Sequence, residues 1–125
     1  LYSIREKNKG KAVILDIWAT WCVPCIHDMK RSGEVKKELK NLPVEIVYLC
    51  VENKSSLEKW KNKTAELSVS GDHIFLNKKL SSEIMEFFNL SGYPSHIFID
   101  KEGNYDPKFI SSISRLDVEG LKNRL

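Results

Sequence analysis

Ala12-Val-Ile-Leu-Asp-Ile-Trp-Ala-Thr-Trp-Cys-Val-Pro-Cys25 is the stretch that decides the fold. Its first seven residues form a nearly continuous apolar run, which predicts a strand buried on both faces, as in a parallel sheet covered by helices. Apolar residues then fall at Cys22, Cys25, Ile26 and Met29, the i, i+3, i+4, i+7 spacing of a helix. The helical pattern runs on through Val35, Leu39 and Leu42 and stops at Pro43. Gly33 inside it predicts a bend or two helical pieces. Two cysteines, three residues apart, therefore stand where a buried strand hands over to a helix.

That position has chemical consequences. Only a thiolate attacks a disulfide, and a free cysteine with pKa near about 8.5 is mostly protonated at neutral pH. At a helix start, the unsatisfied backbone N–H groups and the positive dipole end point at the Cys22 sulfur and favour its anion. Pro24 suits the first turn, where its missing N–H would have had no intrahelical partner. Cys25, one turn later, can close a small disulfide after Cys22 has attacked, so the pair can cycle by exchange with a second molecule. Asp16 lies six residues before Cys22 in the apolar strand. A lone carboxyl there is costly to ionise, so its pKa is expected to be raised, suiting it to accept and return the Cys25 proton. An Asp that merely bonds to neighbouring backbone is the plainer alternative.

Outward from this segment the chain alternates strands and helices. Val44–Val51 has one charge and four β-branched residues in eight, the strongest strand signal. Ser55-Ser-Leu-Glu58 matches a capping box opening a helix with Leu57, Trp60 and Ala65 on its apolar stripe. His73–Leu76 reads as a short strand, and Leu80, Ile84, Phe87 and Phe88 as a helical face belonging to the core. Ser95–Ile99 reads as a strand, Asp100–Asn104 as a turn and Phe109–Ile113 as a further strand. A last helix opens at Ser114–Asp117 and carries Val118, Leu121 and Leu125. Residues 1–10 read as a polar lead-in. The order is that of one α/β domain whose last two strands pair as a hairpin.

Composition agrees and excludes. The chain has 125 residues, 42% hydrophobic and 30% charged, with a net charge of +3. This length and balance predict a single ordinary globular domain and exclude disorder. The basic residues are interleaved with acidic ones, so no nucleic-acid footprint is expected. No apolar run approaches the roughly 20 residues that span a membrane. There is no initiating Met and no signal-peptide pattern, as in a mature form or an excised domain. Three cysteines are too few for a disulfide scaffold; Cys50, in the most apolar strand, reads as a small core residue.

Leu15–Cys25 resembles the active-site signature of the thioredoxin superfamily, and Ser91-Gly-Tyr-Pro-Ser-His-Ile-Phe-Ile-Asp100 is similar to that family's cis-proline loop and following strand. Pro94 follows Cys25 by 69 residues, more than a minimal thioredoxin allows. This surplus at about 52–90, with Ala19-Thr20 and Ile99–Gly103, resembles the TlpA/ResA-like branch of mostly exported bacterial thiol–disulfide oxidoreductases. The resemblance implies a thioredoxin fold over residues 1–125: a central mixed sheet flanked by helices, with an inserted helix–strand unit between the two motifs. It implies that Pro94 is cis and stacked against the Cys22–Cys25 pair. Trp21, Val23, Pro24, Tyr93 and Pro94 would line the groove for a substrate chain. The implied partners are protein thiols or disulfides and an upstream redox protein, with the redox-active disulfide in place of any cofactor. A monomer in the cell envelope or periplasm is the expected setting. Val23-Pro24 replaces the branch's common Gly-Pro, and Lys30 stands where a proline is frequent; both bear on the reduction potential.

Two other readings compete. Cys22–Cys25 can be a structural bond in a protein-interaction domain, which a mild glutathione buffer would leave closed. Cys22, Cys25 and His27 can be imagined around zinc, but structural zinc sites usually show a second spaced pair, which this chain lacks. Haem attachment of the c type needs His directly after Cys25, where Ile26 stands. His96, two residues beyond Pro94, reads as a packed strand residue rather than a base.

Overall fold

The computed structural model describes residues 1–125 and contains six helices and five strands. They are α1 (Tyr2–Lys7), β1 (Ala12–Trp18), α2 (Val23–Arg31), α3 (Gly33–Leu39), β2 (Val44–Val51), α4 (Leu57–Leu67), β3 (Asp72–Leu76), α5 (Lys78–Phe87), β4 (Ser95–Ile99), β5 (Tyr105–Asp106) and α6 (Val118–Lys122). The sheet order is β3-β2-β1-β4-β5. β1, β2 and β3 run parallel, whereas β4 and β5 are antiparallel to their neighbours. The result is the mixed, helix-flanked sheet of a thioredoxin fold.

Apolar runs make the centre of the sheet. All seven residues of β1 are buried, and in β2 only Glu45 reaches solvent, where it pairs with Lys11. Ile14, Leu15, Ile17, Trp18, Val47, Leu49, Ile97 and Phe98 are among the most buried side chains of a core that also takes in Ile110, Ile113 and Leu121. The helical stretch before Pro43 divides at Ser32, so Gly33 opens a second piece and Val35 and Leu39 still face inward.

Three local expectations fail, and the polar lead-in adds a helix. Residues 109–113 are not a strand; the short β5 lies earlier and pairs with β4 through the Asp100–Asn104 turn. Pro107 has no N–H for a ladder, and Asp106 Oδ1 accepts from the Lys108 and Phe109 amides, which turns the chain away. The lead-in contains a helix, α1, but it buries none of its residues. The α4 cap is Ser56, whose hydroxyl accepts from the Lys59 amide, while Ser55 bonds to Thr20 instead. Phe87 is not in the core: it is 60% exposed, in an edge-on cluster with Phe88 and Tyr105.

Candidate active site

Cys22 is the N-cap of α2, and its Sγ accepts a 3.2 Å hydrogen bond from the Cys25 amide. Pro24 occupies the first turn. Cys22 and Cys25 are joined in a disulfide with Cα atoms 5.3 Å apart, and both residues are buried. An N–H donor to an anionic sulfur is stronger than to a neutral one, so a bond of this kind favours a thiolate wherever a free sulfur takes this place. Cys50, the remaining cysteine, is buried in β2, and burial pushes its thiol up to about 12.

The rim is exposed and apolar. Trp21 is 48% and Val23 61% exposed, Pro24 is also exposed, and Tyr93 and Pro94 are half-buried. The two sequence motifs meet here. The Trp21 and Tyr93 rings lie edge to face at 5.8 Å, and the Tyr93–Pro94 peptide is cis. The loop after β2 braces both: Trp21 Nε1 donates to the Asn53 carbonyl at 2.5 Å, and Asn53 Nδ2 donates to the Tyr93 hydroxyl at 3.3 Å. Thr20 and Ser55 share a 2.6 Å hydroxyl contact beside them. Asn53 carries no motif and Ser55 reads only as part of a capping box, so sequence reading missed this brace.

On the face of the sheet under α2 runs a polar row. Asp16 of β1 is in register with Tyr48 of β2 and His96 of β4, and Tyr48 with His73 of β3. The Tyr48 and His73 rings stack at 4.7 Å, with Lys36 of α3 over Tyr48. Asp28, one turn after Cys25 on α2, comes down onto this row. His96 Nε2 stands 3.5 Å from Asp16 Oδ1 and 3.6 Å from Asp28 Oδ2. Asp28 also holds the C-terminal loop, accepting from the Ile113 amide at 2.9 Å and from the Ser114 amide and hydroxyl at 3.0 and 2.6 Å.

Burial pushes the Asp16 carboxyl above its ordinary range, the neighbouring His96 pulls it back and Asp28 adds to the rise. Burial alone would lower the His96 imidazole, but the two carboxylates outweigh it and hold it above its ordinary value. Asp16, Asp28 and His96 are the three side chains close enough to share a cation. Both Asp28 oxygens already accept hydrogen bonds from the C-terminal loop. Of the imagined Cys22–Cys25–His27 zinc set, the two sulfurs are bonded to each other and His27 is exposed.

A disulfide at the start of a helix that follows the central strand, beside a cis-proline loop, defines a thioredoxin-fold protein. Residues 10–105 match the family model described as Thioredoxin-like, and the chain belongs to that family. Among curated relatives, the thiol–disulfide oxidoreductase ResA of Bacillus cereus is 27% identical over 94% of this chain, and that of Geobacillus kaustophilus 30% identical over 89%. The alignments cover 65% and 61% of those proteins, so the chain spans less than two thirds of their length. Among solved structures, the thioredoxin domain of a Bacteroides vulgatus thiol–disulfide oxidoreductase superposes with a TM-score of 0.80. It is 22% identical and covers 96% of this chain and 84% of that one.

Proposed function

We propose that this chain is a thiol–disulfide oxidoreductase acting on protein thiols or disulfides, with residues 1–125 forming one domain. The observation that carries the reading is the Cys22–Cys25 disulfide at the N-terminus of α2, its Cys22 sulfur capped by the Cys25 amide. In the reducing direction the Cys22 thiolate attacks a substrate disulfide and releases one substrate thiolate. Cys25 then attacks the Cys22 sulfur: the Cys22–Cys25 bond forms, the mixed disulfide breaks and the second substrate thiolate leaves. Asp16 takes the proton that Cys25 loses and passes it on, with the leaving thiolate as one acceptor. The oxidising direction is the reverse, and the partner's potential decides between them. The two sulfurs carry the electron pair themselves, so the reaction calls for no metal or nucleotide.

Trp21, Val23, Pro24, Tyr93 and Pro94 form the docking surface in this reading; their exposed apolar rim suits an extended substrate segment laid across the disulfide. An upstream redox protein would restore the pair. A monomer outside the cytoplasm, in a bacterial envelope, fits the ResA-like resemblance and a structure whose free thiol is buried. No helix is long and apolar enough to cross a membrane.

The burial of both cysteines favours a second reading, a purely structural bond in an interaction domain. Incubation in a glutathione buffer followed by thiol alkylation separates the two. Reduction of insulin disulfides tests the mechanism: Cys22→Ser is expected to abolish turnover, whereas Cys25→Ser stops after one attack and leaves insulin covalently attached. Full turnover by Cys22→Ser rejects the assignment.

A further inference from the structure

Asp16 alone is a poor acceptor for the Cys25 proton. Burial pushes a carboxyl of this kind toward its neutral form, which has no room for a further proton. His96 changes this. Its Nε2 stands within 3.6 Å of both carboxyl groups, so a positive charge on the ring would lie between them and favour an ionised Asp16. Without His96 the buried Asp16 would have Asp28 beside it and no cation between them, which favours its neutral form.

We propose that His96, clamped between Asp16 and Asp28 and next to α2 one turn from Cys25, is a positioning residue that keeps Asp16 ionised and so ready to receive the Cys25 proton. The inference rests on the oxidoreductase reading above and adds to it the partner that makes its base workable. Three elements build the clamp: Asp16 comes from β1, His96 faces it across the antiparallel ladder, and Asp28 is lowered from α2. Neither ring nitrogen of His96, nor Asp16 Oδ1, has a closer hydrogen-bond partner, so the interaction between the two side chains is available to respond to a proton. Asp28, by contrast, is fixed by the Ile113 and Ser114 donors and serves as the rigid wall of the clamp.

The other groups facing this cluster are few. Tyr48 from β2 has its phenol pushed further up, chiefly by burial, and stays neutral. His73 from β3 acts on Asp16 weakly and in the same sense as His96. Lys36 from α3 stands over the Tyr48 ring, and the Ser111 backbone favours the charged His96 ring.

The step at issue is closure of the disulfide. Cys25–S–H attacks the sulfur of Cys22 in a mixed disulfide; the Cys22–Cys25 bond forms, the bond to the substrate sulfur breaks, and the Cys25 proton moves to Asp16. Ellman's reagent resolves this step in the reduced protein. The first thionitrobenzoate is released by Cys22 attack in a phase that depends on reagent concentration; the second is released by Cys25 closure in a phase that does not. His96→Gln is expected to move the acid limb of the second phase to higher pH by a unit or more. Each unit moved slows closure about tenfold at pH values below the limb. The pH profile of the first phase is expected to stay in place. A structural role alone would slow both phases without moving the limb.

Should His96→Gln fail to fold, the wild type still decides. The imidazole nitrogen shifts of His96, followed by NMR against pH in protein labelled at histidine, are expected to show a cation persisting above the ordinary value of about 6.5. They are expected to drop in Asp16→Asn. A neutral His96 at pH 7, or an unmoved acid limb in a folded His96→Gln, overturns the proposal. Absence of any thionitrobenzoate exchange by the wild type removes the oxidoreductase reading itself, whereas exchange with an unmoved limb removes only the role given to His96.

Discussion

Asp28→Ala is the substitution whose cost can be worked most directly from this structure. Asp28 is buried and its two oxygens take three hydrogen bonds from a single turn of the C-terminal loop. Alanine removes the acceptors and leaves the donors behind. The buried Ile113 amide has no route to water, so its loss is worth about 2 kcal/mol. Ser114 is half-buried; water can replace part of its two bonds, leaving a loss of about 1 kcal/mol. Separating His96 from one of its two carboxylates adds roughly 1 kcal/mol near neutral pH. The expected total is about 3–4 kcal/mol, a large part of the roughly 5–15 kcal/mol that holds a domain of this kind together. For a chain of this size each kcal/mol lowers Tm by about 3–5 °C, so a drop of roughly 9–20 °C is expected. Thermal unfolding of the oxidised protein by circular dichroism measures it, and hydrogen exchange localises it: the Ile113 and Ser114 amides should lose protection before the central strands do. Ser114→Ala, which keeps both amide bonds, is expected to cost about 1 kcal/mol or less. An Asp28→Ala protein that melts within about 3 °C of the wild type would refute the reasoning, because three bonds to a buried carboxylate would then have contributed almost nothing.

Stability of the oxidised protein should peak at mildly acidic pH. Asp16 and His96 are both raised in the folded state, so the fold holds extra protons; the stability this gives is complete below their unfolded values, near 3.8 and 6.5, and is lost as pH rises through their folded ones. Asp100 and Asp106 are lowered by backbone and side-chain hydrogen bonds, so their contribution is present above 3.8 and lost as pH falls through their folded values. Replacing Asp16 by Asn is expected to flatten the alkaline decline in a Tm–pH series; a decline as steep as the wild type's would count against the assignment. Trp21→Ala removes an exposed ring of the docking rim, and kcat/KM for insulin reduction should fall about tenfold with little change in Tm, the cost of about 1–2 kcal/mol of apolar contact. Ser68 closes α4 in the left-handed region at φ 49°, so Ser68→Gly should stabilise by about 0.5–1 kcal/mol in denaturant titrations.

What was legible in the sequence follows the range of the forces involved. β1, β2 and β4 were read to their ends because an apolar run between polar flanks has one way to be buried, and that information is local. The break at Gly33 and the final helix were read for the same reason. The strand expected at 109–113 failed because Ile110 and Ile113 enter the core from an irregular segment, pinned by Asp28 and turned by Asp106 and Pro107. Apolar residues there signalled burial correctly but not its geometry. The exposed Phe87 shows the converse: helical periodicity marks a face, and only the neighbouring element decides how much of it is covered.

The sequence by itself determined the local frame of the candidate site. A dithiol at a strand-to-helix junction, a proline in the first turn and a carboxyl six residues upstream are relations within one short segment, governed by backbone geometry and helix electrostatics. Only the tertiary structure decided what surrounds that carboxyl. Register across the β1–β4 ladder brings His96 opposite Asp16, and the docking of α2 sets Asp28 against both. Such contacts arise from non-local packing, which leaves no periodicity or spacing in the chain. For that reason His96 reads as an ordinary strand residue and Asp28 carries no signal in the sequence, although the fold sets both against Asp16.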